Sequence, residues 1–313
     1  MDGKSLQSTS ASNIQERQVE ERVFTYQSKH ILKVVPPCTL DITYLKKLYA
    51  ILSKSAEEGG AIEIAKVNKQ PGQSDVDFEA FKRNAKSLYR VTIQIFDSRG
   101  GYIYTESPEI FDEAKLPDSI SKIILDNTQK FKATLQREPA HRVSVTFDFS
   151  KPDIFDFNSS PSFATPNNSN VEILCETETW GQGTYKNIVE SLKERGNKHG
   201  WLHARNVYDI ILWFVTAPLI LRLLYKLSLV LQPKIGNASV FFKAGIYLYF
   251  FLILLYIYRI IFNYARWVFP NVELKTSLQK GAFTHRCILS AILFSVVTTY
   301  IIESIKLILS LFR

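Results

Sequence analysis

Apolar and polar positions follow two regimes along the chain. Before about residue 206 they alternate over short distances, as in a folded domain with a wet surface. After it, apolar residues run almost unbroken. In the first regime, Ile42, Leu45, Leu48, Tyr49 and Leu52 share one helical face and predict an amphipathic helix over 41–55, capped by Asp41 and ended by Gly59-Gly60. Ile62 and Ile64 then read as one side of a short strand over 61–67, and Pro71-Gly72 marks a loop. Residues 76–87 read as a helix with Phe78 and Phe81 inward and Lys82, Arg83 and Lys86 outward. Val91, Ile93 and Ile95 alternate with polar neighbours, a glycine-bearing turn covers 97–101, and Tyr102–Thr105 returns, which is a β-hairpin. Ile120, Ile123, Ile124, Phe131 and Leu135 lie on one stripe and predict a helix over 118–135. His141–Phe149 and Val171–Thr179 alternate as strands, with a Pro/Ser/Asn-rich loop over 150–170 between them. Thr184–Arg195 reads as a last helix. The sum is an α+β domain over 23–196, an antiparallel sheet of about five strands with two or three helices on one face, preceded by a polar, disordered tail over 1–22.

Three apolar runs fill most of the remainder: Val207–Leu231, Ser239–Ala265 and Arg286–Phe312. Each exceeds the ~20 residues that cross a hydrocarbon core of about 30 Å. Trp201, Tyr208, Trp213, Tyr264 and Trp267 stand near their ends, as in an aromatic belt. The expectation is an all-α transmembrane bundle of three helices over 207–313, joined to the head by a basic linker over 197–206. Charge sharpens the division. Residues 1–206 hold 27 basic and 27 acidic side chains, and residues 207–313 hold 11 and 3, so the whole net charge of +8 falls in the apolar third. That excludes a wholly soluble enzyme, a disordered chain, and a duplex-DNA-binding protein with basicity spread over a recognition domain. The first expected partner is the lipid bilayer. The N-terminal stretch has no apolar core of a signal peptide, so the head is expected in the cytoplasm and the protein as a multi-pass component of the cell inner (plasma) membrane. Basic residues flank the runs almost evenly, so their distribution alone does not orient them.

The chemistry-bearing residues fall into three groups. Arg222 and Lys226 in the first run, and Glu303 and Lys306 in the third, are charges at a depth where they need a partner, hydration or a path to the headgroups. An up-down-up arrangement brings Glu303 level with Arg222 and predicts an ion pair with it or with Lys226, either bracing the bundle or lining an ion path. His199, Trp201, His203 and Arg205 read as a juxtamembrane segment at the lipid interface, in preference to a two-histidine metal site. Lys82, Arg83, Lys86 and Arg90 form the dense basic cluster of an otherwise neutral head and predict a local anion or partner site, for a nucleotide, an oligonucleotide or a protein signal. Cys38, Cys175 and Cys287 are isolated and predict neither zinc nor a disulfide framework. Asp148, Asp153 and Asp156 read as a solvated acidic face. There is no nucleotide-binding loop, no metalloprotease or nucleophile-elbow motif and no kinase signature, so no metal, no cofactor and no enzymatic activity are expected.

This layout, a sensing-type α+β head followed by a C-terminal cluster of spans without an enzyme motif, resembles the membrane effectors of bacterial antiviral systems. The resemblance is architectural and carries no site residue. It implies a homo-oligomeric protein whose head senses a ligand or partner and triggers membrane permeabilisation by the C-terminal helices, as an ion channel or pore. The alternative is a membrane-anchored scaffold whose head is a protein-interaction module.

Overall fold

The computed structural model describes residues 28–156, 160–276 and 281–311. The tail expected over 1–22 lies outside them. In chain order the described residues hold β1 (Lys29–Val34), β2 (Cys38–Asp41), α1 (Ile42–Ala65), α2 (Asp75–Lys86), β3 (Thr92–Asp97), β4 (Tyr102–Thr105), β5 (Ile120–Asp126), α3 (Gln129–Leu135), β6 (Arg142–Asp148), β7 (Asn170–Cys175), α4 (Glu178–Lys193), α5 (Val207–Ile211), α6 (Ala217–Ile235), α7 (Val240–Val268), β8 (Val272–Lys275) and α8 (Gly281–Leu311).

Six strands build an antiparallel sheet in the order β1-β7-β6-β5-β3-β4. Alternation sends one residue in two toward the helices. Ile93 and Ile95, Ile123 and Leu125, Val143, Val145 and Phe147, and Val171 and Ile173 are fully or almost fully buried on that side. They meet Leu45, Leu48, Leu52 and Ala56 of α1 and Ile188 and Leu192 of α4, which form one core. The other face, with Gln94, Arg142, Ser144, Thr146 and Glu172, lines a polar cleft bordered by Gln129 at the start of α3. The expected α+β class, the antiparallel sheet and the 97–101 hairpin are therefore present.

Four expectations are corrected. Helix α1 does not stop at Gly59-Gly60 but runs to Ala65, so the strand expected over 61–67 is its last turn. The two glycines serve close approach. A Cβ on Gly59 would sit 2.9 Å from the Cβ of His141, and one on Gly60 2.6 Å from Cγ of Tyr89. The helix expected over 118–135 is strand β5 followed by the short α3. Its helix-like spacing arises because pairing with β3 shifts between Phe96 and Asp97, which puts Ile120 and Ile123 on one side three residues apart. The strand expected over 171–179 ends at Cys175 and the helix expected from Thr184 starts at Glu178, while no residue of α2 is buried, so Phe78 and Phe81 do not enter the core. Four of the five expected strands are present as β3, β4, β6 and β7, and β5 and β1 complete the six.

Among the described residues two helices are long and apolar enough to cross a membrane, Val207–Ile235 and Val240–Val268. The first is α5 and α6 joined by a π-helical segment, Leu212–Thr216. Pro218 follows it. A proline ring lacks an N–H and crowds the carbonyl four residues back, and a wider turn just before it absorbs both defects. Many apolar side chains on these helices are exposed, Phe241 at 90%, whereas the last turns of the second bury Tyr258, Phe262 and Arg266. Helix α8 contributes a shorter described apolar stretch, Phe283–Thr299.

A parallel two-stranded pair, β2 with β8, joins the two halves: Cys38–Asp41 of the head lies beside Val272–Lys275, the connection between α7 and α8. Helix α7 therefore returns to the head, and the Gly236–Ser239 turn between α6 and α7 lies at the far end.

Candidate functional site

A cavity of about 300 Å³ opens near the C-terminal end of α1, lined by Glu57, Gly60 and Ala61 of α1 and by Arg83, Lys86, Ser87, Tyr89 and Arg90. Three cations face one carboxylate. Ser74 caps α2, accepting from the Asp77 amide, and the twelve-residue helix sets Arg83 and Lys86 on its last turn. The chain then folds through a short 3₁₀ turn that buries Tyr89 and leaves Arg90 exposed. Arg90 has only a 3.9 Å contact to Glu106, whose closer partner is Lys130 at 2.7 Å. Of the four residues expected here, Arg83, Lys86 and Arg90 are brought together. Lys82 is not: it pairs with Glu79 at 3.0 Å and lies 4.3 Å above the Phe78 ring. Glu57, Gly60 and Tyr89 were not readable as site residues, because each looks like an ordinary helix or loop position until the fold closes.

Behind the cavity runs a buried polar chain. The Tyr89 hydroxyl donates to Glu63 Oε2 at 3.0 Å, while Glu63 Oε1 accepts the His141 backbone N–H at 2.6 Å and lies 3.3 Å from His141 Nδ1. Burial pushes the Glu63 carboxyl up, but the bonds from His141, Ala140 and Tyr89 outweigh it and hold the group below its ordinary value. The Tyr89 phenol is raised by burial and by the Glu63 charge. His141 is fully buried and meets the edge of Trp180 at 5.0 Å between centroids, and Trp180 donates to Ser55 O of α1. This network clamps the distal half of α1 to β6 and α4.

The opposite end of α1 leads to the long apolar helices. Asp41 ends β2, caps α1 by accepting the Tyr44 amide at 2.7 Å, and accepts from Arg195 just beyond α4 at 2.9 Å. Asn197 donates to Pro270 O, at the exit of α7. The loop over 150–170 supplies a second attachment. Its carbonyls receive side chains of α7: Arg259 bonds Asp156 O, Asn263 bonds Ile154 O, and Arg266 bonds Pro161 O and Phe163 O as well as Leu202 O. Lys151 lies 4.2 Å from the Trp267 ring centre. Burial lowers its ordinary value, with Glu273 acting against that and Arg286 adding to it.

The juxtamembrane residues divide. Trp201 and Arg205 are exposed, and His199 stacks on Phe269 at 4.2 Å. His203 is corrected. It is buried, its Nε2 donates to Phe269 O, and its own carbonyl accepts from Thr165, so it belongs to the joint between the head and α7 and not to an exposed surface. Burial lowers the His203 imidazole below its ordinary value; its bond to Phe269 opposes the shift and Arg266 adds to it. Arg222 is half-buried and Lys226 exposed, one turn apart on α6, while the side chains of Glu303 and Lys306, and with them the expected ion pair, lie outside the described residues. Among the described residues no group of three or more His, Cys, Asp or Glu is placed to hold a metal ion. The chain matches no protein-family model, no curated protein and no solved structure.

Proposed function

We propose that the protein is a signal-gated membrane protein in which an anionic ligand or partner at the Arg83–Lys86–Arg90 cavity changes the arrangement of the membrane-spanning helices and permeabilises the bilayer. The observation that carries this reading is continuity. Helix α1, about 36 Å long at ~1.5 Å per residue, touches the cavity with Glu57, Gly60 and Ala61 and is fused through Asp41 to β2, which pairs with the β8 connection between α7 and α8. A tethered module needs only a flexible linker; a transducer needs a stiff one. In this reading α8 is the third span, the head and the Phe269–Thr276 connection share the cytoplasmic side of the inner membrane, and the Gly236–Ser239 turn lies opposite. Three spans per subunit cannot enclose a pore, so the conducting form is a homo-oligomer. The ligand acts by population shift, favouring one packing of α1 against the sheet. The role suits an antiviral-defence effector, and the site calls for a nucleotide, oligonucleotide or acidic protein signal, not a cofactor.

Planar-bilayer recording tests the reading. Purified protein should conduct when the small-molecule fraction of infected-cell extract is added, and Arg83→Gln with Lys86→Gln should raise the amount needed. Silence with and without extract overturns it. The second reading, a membrane-anchored scaffold, is supported by the exposed Leu32, Tyr102 and Tyr104 on the sheet. A stoichiometric partner on pull-down together with silent bilayers selects it.

A further inference from the structure

The cleft beside the β2–β8 pair has a charge pattern that the gating reading does not use. It measures about 340 Å³ and is lined by Arg195, Lys198, Lys275 and Arg286, with Asp41 and Glu273 as its carboxylates. Both carboxylates are already engaged, Asp41 by Arg195 at 2.9 Å and Glu273 by Arg286 at 2.6 Å. Lys198 and Lys275 pair with no carboxylate among the described residues, so the cleft keeps two positive charges uncompensated. Ammonium and guanidinium groups converging on one small opening suit a phosphate oxyanion. The position suits a lipid. Arg286 lies in the first turn of the apolar stretch Phe283–Thr299 of α8, and on α7 the stacked rings of Tyr264 and Trp267 lie against His285 at the same level. Aromatic side chains of this kind mark the headgroup layer.

We propose that this cleft binds the phosphate of an acidic glycerophospholipid headgroup. Such a lipid bridges Lys198, just beyond α4, to Lys275 at the end of β8, and so fastens the head to the α7–α8 connection. A zwitterionic choline headgroup would bring its own cation against two uncompensated lysines. The inference rests on the helices crossing a bilayer and not on gating, so a silent bilayer recording leaves it standing.

The test uses the full chain in nanodiscs of mixed phosphatidylglycerol and phosphatidylcholine, transferred to mild detergent, with retained lipid identified by mass spectrometry. Phosphatidylglycerol should be enriched on the wild type. Lys198→Gln with Lys275→Gln should cut that enrichment by roughly thirtyfold, as expected for removing two basic groups at an anionic surface. Lys198→Arg with Lys275→Arg should keep it. So should the charge-matched Lys186→Gln with Lys193→Gln on the exposed side of α4, which also controls for folding. No preference for phosphatidylglycerol, equal retention by the glutamine pair, or equal loss in the α4 control overturns the proposal. Complete displacement by inorganic phosphate assigns the cleft to a free anion and overturns the lipid source.

Discussion

Replacing Arg266 by lysine isolates the joint between head and spans. The guanidinium makes three bonds, to the carbonyls of Leu202, Pro161 and Phe163 at 3.2, 3.0 and 3.2 Å, and lies 4.6 Å from the Phe262 ring centre. No carboxylate pairs with it among the described residues. Its charge is held by backbone dipoles spread over a rigid fork, which a lysine cannot reproduce. Lysine keeps the charge and reaches one of the three acceptors. Two bonds to a charged donor are then lost, each worth about 1.5–3 kcal/mol, so the docked loop weakens by at least about 3 kcal/mol. At a factor of ten per ~1.4 kcal/mol, the opened fraction rises roughly a hundredfold. Hydrogen exchange on the protein in nanodiscs reads this at two amides that close the joint, Thr165 on His203 O and Asn206 on Ser162 O. Both should exchange about a hundredfold faster by the same arithmetic, while amides of the β3–β5 ladder keep their rates. Unchanged exchange at Thr165 and Asn206 refutes the joint.

Gly60→Ala places a methyl 2.6 Å from Cγ of a buried, hydrogen-bonded Tyr89 and should cost about 1–3 kcal/mol of stability, lowering the melting temperature. The cost should largely vanish in a Tyr89→Ala background, and persistence there denies that the ring is what the methyl meets. His203 titrates lower in the fold than unfolded because burial disfavours its charged form. Below pH about 6.5 the unfolded chain takes up a proton that the folded one refuses, so stability falls with acidification until the folded value is passed, and above that range His203 contributes no pH dependence. Thermal melting across that range should show a shallower acid-side loss for His203→Gln than for the wild type; parallel curves contradict the assignment.

The sequence exposed periodicity and hid proximity. Leu45, Leu48 and Leu52, the β6 alternation and the 97–101 hairpin were legible because each is a local pattern against one core. Strand β1 was not, since Ile31 alone of its six residues is buried and an edge strand with Lys29, His30 and Lys33 shows no alternation. The β2–β8 pair was hidden for another reason. Two four-residue strands more than 200 positions apart leave no periodic trace, and their pairing depends on where α7 ends. Arg83, Lys86 and Arg90 could be proposed together because one helix and its exit loop carry them. His203 was misassigned because a histidine beside basic and aromatic neighbours reads as surface, whereas its surroundings come from Thr165 and Phe269, far away in the chain. The loop over 150–170 was legible as a Pro/Ser/Asn-rich connection but not as an attachment for α7, because that role is played by backbone carbonyls, which no residue type reveals.

Sidedness labelling tests most directly that these helices cross lipid with the head on one side. On a Cys287→Ser background, where Cys38 and Cys175 are buried, Arg205→Cys reports the head side and Asn237→Cys the α6–α7 turn, both being exposed positions. In sealed vesicles of one orientation, a membrane-impermeant maleimide should label one of the two and reach the other only after the bilayer is opened by detergent. Labelling of both from the same side, or a protein that alkaline carbonate washes from the vesicles, contradicts the account.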